Sequence, residues 1–180
     1  MNKNQLIVTW ALLILSLPCL CLAKPEITHP VDYYNELGIK YAEEGNFDNA
    51  IENFHKVIQI DPKYTSAYVN LGIIYGKIGE YDTAIENLKK ALELNPHLQE
   101  VYINLGAIYE KQGEYDKAVD YAQKALLLNR DNAIATYNLG YAYLMQGNKD
   151  LALEQYKKLK DMKQDKLADK LQDKIIQKNK

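Results

Sequence analysis

Eight of the nine glycines in this 180-residue chain fall into two series that advance by 34 positions. Gly38, Gly72, Gly106 and Gly140 form the first; Gly45, Gly79, Gly113 and Gly147 form the second. Other residues keep the same beat. Leucine precedes each glycine of the first series (Leu37, Leu71, Leu105, Leu139), tyrosine follows it by three (Tyr41, Tyr75, Tyr109, Tyr143) and alanine by twelve (Ala50, Ala84, Ala118, Ala152). A fixed period of this length means stacked copies of one supersecondary unit, because a single copy cannot bury its apolar face alone. Apolar residues recur at three- and four-residue steps, as at Tyr34, Leu37, Gly38 and Tyr41, which is one face of a helix. The Gly38-type positions let one helix approach its partner closely. The Gly45-type positions end the first helix in a left-handed turn, after which Phe47, Tyr81 or Tyr115 packs beneath the second helix.

The second copy, Thr65 to Leu98, carries Tyr68, Leu71, Gly72, Tyr75, Ala84, Ala91 and Pro96. That grammar at this period resembles the tetratricopeptide repeat, a helix–turn–helix unit. The resemblance covers residues 31–166. It implies an all-α fold, a right-handed superhelix of four repeats at 31–64, 65–98, 99–132 and 133–166, with a C-terminal capping helix at 167–180. Pro62 and Pro96 close two repeats; Arg130 and Gln164 stand at the other two junctions, which are less sharply specified. Lys149 replaces the expected aromatic in the last copy.

Ahead of the repeats, Lys3 precedes an apolar run from Leu6 to Leu17, and Cys21-Leu22-Ala23 gives a small-x-small end before Lys24. This pattern matches a secretory signal peptide over residues 1–23, cleaved after Ala23 and followed by a linker at 24–30. The alternative is a membrane anchor over residues 6–23, though Pro18 breaks the run. Both cysteines, Cys19 and Cys21, lie in this segment, so cleavage would leave no thiol for a disulfide framework. An exported, periplasmic or secreted location is the expectation.

The chemical inventory is short. Serine occurs only at Ser16 and Ser66, and Ser66 stands beside Thr65 where a helix N-cap is wanted. His29, His55 and His97 have no ligand-spaced partners, and no glycine-rich phosphate loop is present, so no cofactor, metal or catalytic residue is expected. A formal charge of −2 argues against gripping nucleic acid by net charge. That charge is unevenly placed. Residues 24–156 carry 12 basic and 20 acidic groups, whereas residues 157–180 carry 9 and 4. The basic stretch has Leu167, Ala168, Leu171 and Ile175 at helical spacing, which suits a helix covering the open end of a solenoid. Neither glycine nor proline separates it from the preceding helix, so the two could run on as one. Its basic face could instead touch anionic lipid or an acidic partner.

What remains is a surface. In a solenoid of this kind the first helices line a concave groove. Two residues before the first-series glycine stand Asn70, Asn104 and Asn138, with Glu36 in the first copy. Asparagine donates and accepts, so such a row can hold a peptide backbone; some tetratricopeptide proteins are similar in using one. The alternative is that these asparagines bond within their own repeat or to water. The family's carboxylate-clamping mode does not match, since the corresponding first-repeat residues are Asn35, Glu36 and Ile39. Groove positions pass from Asp32, Asn35, Glu36 and Glu43 to Ile134, Tyr137, Tyr141, Leu144 and Met145. Those last five read either as an apolar ligand contact or as a face covered by the C-terminal helix or a second protomer. Gly76, outside both series, either admits a close-packed chain or is tolerated drift. The expected function is a non-catalytic scaffold binding a partner segment in the groove. The resemblance to exported bacterial proteins implies envelope assembly, and the alternative is a structural protein that dimerises through the groove of repeat 4. Membrane contact would come through an uncleaved leader or the basic C-terminal helix.

Overall fold

The computed structural model describes residues 29–178, so the signal-peptide reading of residues 1–23 lies outside the described residues, as does most of the linker. Contacts divide the chain into Met1–Pro30 and a body, Val31–Lys180. The described residues form nine helices and no strand: α1 Pro30–Glu43, α2 Phe47–Ile60, α3 Thr65–Ile78, α4 Tyr81–Leu94, α5 Gln99–Lys111, α6 Tyr115–Leu128, α7 Ala133–Met145, α8 Lys149–Asp161 and α9 Asp165–Gln177. Helices α1 to α8 are four antiparallel pairs, one per 34-residue copy, and α9 packs on both α7 and α8.

The turn inside each pair is set by the second glycine series. Gly45, Gly79, Gly113 and Gly147 have φ between 76° and 90°, where a side chain is strained. The left-handed residue turns the next backbone N–H back onto the helix end: Asn46, Glu80, Glu114 and Asn148 each donate to the tyrosine carbonyl five residues earlier, at 2.9 Å. This is the Schellman arrangement that satisfies orphan carbonyls.

The first glycine series works differently in each copy. A methyl group at Gly38 would lie 2.9 Å from the Phe54 ring, and one at Gly72 would lie 2.5 Å from Leu88 Cγ and 3.2 Å from the Ala84 carbonyl oxygen. Phe54, Leu88 and Ala122 occupy one register on the second helices. Where that residue is only Ala122, a methyl at Gly106 would meet nothing nearer than 3.6 Å. At Gly140 the nearest group comes from outside the repeat, Leu171 of α9 at 2.6 Å from the added carbon, with Gln155 Cβ of the same repeat at 2.9 Å. The C-terminal helix is thereby seated in the fourth repeat, and Ala168, Leu171 and Ile175 are buried with Leu159, Ala152, Tyr137 and Leu144.

Junctions between pairs carry a signal that the prolines only partly reveal. Asp61, Asn95 and Asn129 cap the second helices in extended conformation. Each side-chain oxygen accepts the N–H two residues on, from Lys63, His97 and Asp131, at 2.9 to 3.1 Å. These Asx turns make the Arg130 junction as sharply defined as those with proline. The fourth junction differs. Lys163 occupies the register of Asp61 and adopts φ 57°, and Gln164 donates its N–H to the Leu159 carbonyl at 2.9 Å. Helices α8 and α9 are therefore separate, and the capping helix begins at Asp165 rather than at residue 167. Ser66 does not cap α3; Tyr64 holds that position, without a side-chain hydrogen bond.

The two glycines Gly72 and Gly106 share a register but not a neighbour, which gives a paired test. Gly72→Ala is expected to lower stability by about 1–3 kcal/mol through overpacking against Leu88. Gly106→Ala should instead raise it by up to about 1 kcal/mol, the helix-propensity difference. Urea denaturation followed by circular dichroism reads both, and equal shifts would contradict this account of the packing.

Candidate functional site

Alternate helices α1, α3, α5 and α7 line one face, where three clefts open. The clefts show which side chains that face presents. Between α1 and α3 lies a cleft of about 210 Å³ bordered by Ile39, Ala42, Glu43, Asn70, Ile73 and Lys77. Between α3 and α5 a larger one, about 490 Å³, is bordered by Ile73, Gly76, Lys77, Asn104, Ala107 and Lys111. A third, about 290 Å³, lies between α7 and α9, with Tyr141, Leu144, Met145, Lys174, Gln177 and Lys178 around it.

Asn70, Asn104 and Asn138 are half-buried along this face, and among the described residues none of their side chains has a hydrogen-bond partner. Their alternative use, bonding within their own repeat, does not occur. The contrast with other asparagines is direct: Asn53 and Asn87 donate their amides to the carbonyls of Asn49 and Thr83 at 2.7 and 2.8 Å. Gly76 faces the largest cleft, and a methyl there would touch only the flexible end of Ile108, at 3.4 Å. Packing within the chain therefore leaves room for a side chain at Gly76.

The apolar patch expected at repeat 4 is mostly closed. Tyr137 is 9% exposed and Leu144 is 4% exposed, both in the cluster completed by α9. Both are core residues, and Leu144 reaches the open surface only where it borders the α7–α9 cleft. Ile134 remains 55% exposed, and Tyr141 and Met145 are half-buried at the groove. Tyr137 and Tyr141 stack with ring centroids 6.4 Å apart. Burial, then the nearby Glu110 charge, pushes the Tyr137 hydroxyl up to about 12. Lys170 Nζ lies 4.7 Å from the Tyr137 ring centroid. Lys178 donates to the carbonyls of Leu144 and Met145, completing the exposed carbonyl end of α7.

Three groups here were not singled out from the sequence. Lys77 and Lys111 stand 34 residues apart on α3 and α5, a spacing that marks them as one register. Glu110 is half-buried next to Lys111, and its carboxyl is pushed up by burial, with Lys111, Lys170 and Lys174 drawing it part of the way back. Acidic Asp32, Glu36 and Glu43 are exposed on α1, while the Asn35 side-chain oxygen Oδ1 is buried without a partner among the described residues. No group of three or more histidine, cysteine or acidic side chains among the described residues could hold a metal ion. No described helix is long and apolar enough to cross a membrane.

Comparison with known proteins gives a consistent picture. A tetratricopeptide-repeat family model matches residues 65–128 and 97–165, and a second TPR-repeat model matches residues 38–79. No curated protein matches the chain. Among solved structures, a crystal structure of MamA is similar at 31% identity and a TM-score of 0.71, over 76% of this chain and 80% of that one. A second MamA crystal structure is 31% identical with a TM-score of 0.72, over 84% and 88% of the two chains. The MamA structure designated AMB-1 is 28% identical with a TM-score of 0.65, over 74% and 73%.

The Glu110 environment sets a pH dependence. A carboxyl whose folded pKa is raised above its ordinary value, 4.5, favours the folded state while protonated. That contribution is present below the ordinary value and is lost as pH rises through the folded one. Glu110→Gln removes the loss, so the variant should gain on wild type between about pH 4 and pH 7. Thermal denaturation at both pH values checks this; a constant difference would contradict it.

Proposed function

This chain belongs to the tetratricopeptide-repeat family, and from that premise we propose that it binds an extended or helical segment of a partner protein in the face lined by α1, α3, α5 and α7. At the coarser level it is a protein-interaction scaffold of an all-α repeat family. The observation that carries the finer reading is the row Asn70, Asn104 and Asn138. These are three half-buried amides, one per repeat, with no partner among the described residues. A half-buried amide left unbonded within its own chain is costly to desolvate fully. A peptide backbone laid along the row would supply both a donor and an acceptor at each step. Ile73, Tyr141, Met145 and the exposed Ile134 give the apolar contacts beside it.

The proposal includes location and pathway. The leader pattern of residues 1–23 supports export with cleavage after Ala23, and resemblance to exported proteins supports a role in envelope assembly. Self-association through repeat 4 has a narrower basis, because Tyr137 and Leu144 are already buried by α9.

The deciding experiment is a cross-linked pull-down from the native envelope fraction. Wild type is compared with the combined Asn70→Ala, Asn104→Ala and Asn138→Ala variant, after circular dichroism shows both folded. A partner captured by wild type and lost by the variant is the expected result. Retention of the same partners would remove the asparagine row from the binding surface.

A further inference from the structure

The packing that joins each repeat to the one before it is left open at α1. In α3, Ala67, Leu71 and Ile74 are buried in the cluster that holds Ala50, Phe54 and Val57 of the preceding repeat. Val101, Leu105 and Ile108 of α5 stand in the same register, 34 residues on, and are buried with Ala84, Leu88 and Ala91. Ala135, Leu139 and Ala142 of α7 are buried likewise. The residues of α1 in this register are Tyr33, Leu37 and Lys40. No helix precedes them among the described residues. Tyr33 is 47% exposed, Leu37 is half-buried, and Lys40 is exposed, with its Nζ 3.9 Å from Glu44.

With Glu44 these residues make a stripe, at steps of four and three, along one side of α1. The Tyr33 ring stands edge-on to Tyr34, centroids 5.3 Å apart, and Lys56 lies over Tyr34 in turn. An aromatic side chain already held in this way loses little freedom on binding. Asp32, Glu36 and Glu43, at steps of four and seven, line one flank of the stripe, and all three are exposed. Over residues 30–44 Lys40 is the only cation, against those carboxylates and Glu44.

We propose that this end of the array is a docking surface, separate from the groove, for an amphipathic helix of a partner protein that carries lysine or arginine along its flank. Tyr33 and Leu37 meet its apolar stripe, much as the later copies meet the repeat before them. Its cations lie along Asp32, Glu36 and Glu43. Other occupants suit the face less well. A second copy pairing antiparallel through α1 brings the acidic flank against itself, carboxylate to carboxylate. A repeat stacked end to end is held off by the Tyr33 ring, since the later copies have only alanine or valine there. An anionic bilayer is repelled by the same carboxylates.

For the test, the chain is expressed with its own leader and purified as the cell leaves it. The probe is a labelled, blocked peptide of about 18 residues, long enough to fold as a helix, with leucines along one face and lysines and alanines elsewhere. Fluorescence anisotropy is expected to show binding that weakens as salt rises. Asp32→Asn, Glu36→Gln and Glu43→Gln combined, all at exposed positions, should weaken it at least about fivefold. Tyr33→Ser with Leu37→Ser should weaken it at least about tenfold, with circular dichroism showing the fold kept. The same charge change elsewhere, Glu86→Gln, Asp131→Asn and Glu154→Gln, should leave it unchanged. Equal binding of a peptide with glutamate at every lysine, or of one with its leucines scattered round the helix, would overturn the proposal. So would binding that survives both α1 variants and is lost on changing Asn70, Asn104 and Asn138, which would give the peptide to the groove. Absence of binding would overturn it, and so would a dimer in light scattering that Leu37→Ser dissolves, which would give the face to a second copy. The groove reading is tested apart from this, by the pull-down.

Discussion

The approach of the first helix of each pair onto the second, over a glycine with no side chain to hold them apart, is what the rest of the molecule depends on. Gly38 and Gly72 receive Phe54 and Leu88, and the closeness of that contact fixes how each pair is rotated about its own axes. Once the rotation is fixed, residues in the same register on successive first helices come out on one face. Asn70, Asn104 and Asn138 then form a row, and Lys77 stands above Lys111. The groove face is thus a by-product of a packing rule repeated every 34 residues. Gly106 shows the limit of the rule, since the small Ala122 opposite makes no demand on it.

Much of this was legible before any coordinates, because a period records the same physical requirement several times over. The turn glycines, the paired helices and the asparagine register all follow from residues that recur with little variation. What was hidden recurs in disguise or not at all. The Asx turns at Asp61, Asn95 and Asn129 alternate between two residue types and were masked by the more conspicuous prolines beside two of them. Lys163 holds a left-handed conformation that a lysine does not advertise, so the start of α9 fell two residues early. The face of α7 could be read as five apolar residues on one side. Its burial depended on Leu171, a residue outside the periodic part of the chain that docks against Gly140.

Helix α9 therefore does two things through two of its surfaces. Its apolar stripe closes the last pair by covering Tyr137 and Leu144, the apolar end that a solenoid otherwise leaves open. The lysines beside that stripe then become part of the groove wall, while the aspartates on the other flank are engaged by Lys160. Had the two flanks been exchanged, the same cap would have placed carboxylates beside Tyr141 and Met145. The polarity of α9 is thus set independently of its capping role, and it agrees with the lysines of α3 and α5.

That agreement bears on which part of the groove a ligand would use. Folding has consumed the larger apolar side chains of the α7 face, leaving Ile134, Tyr141 and Met145 at its margin. What folding leaves unused on this side is mixed: the amides of three repeats and the ammonium groups of Lys77, Lys111 and Lys174, beside the apolar side chains of Ile39, Ile73 and Ala107 that line the clefts. Glu110, half-buried, lies near enough to Lys111, Lys170 and Lys174 to temper their charge. A segment that satisfied only the apolar margin would leave the amides and cations desolvated without partners, and the cost of that would count against it.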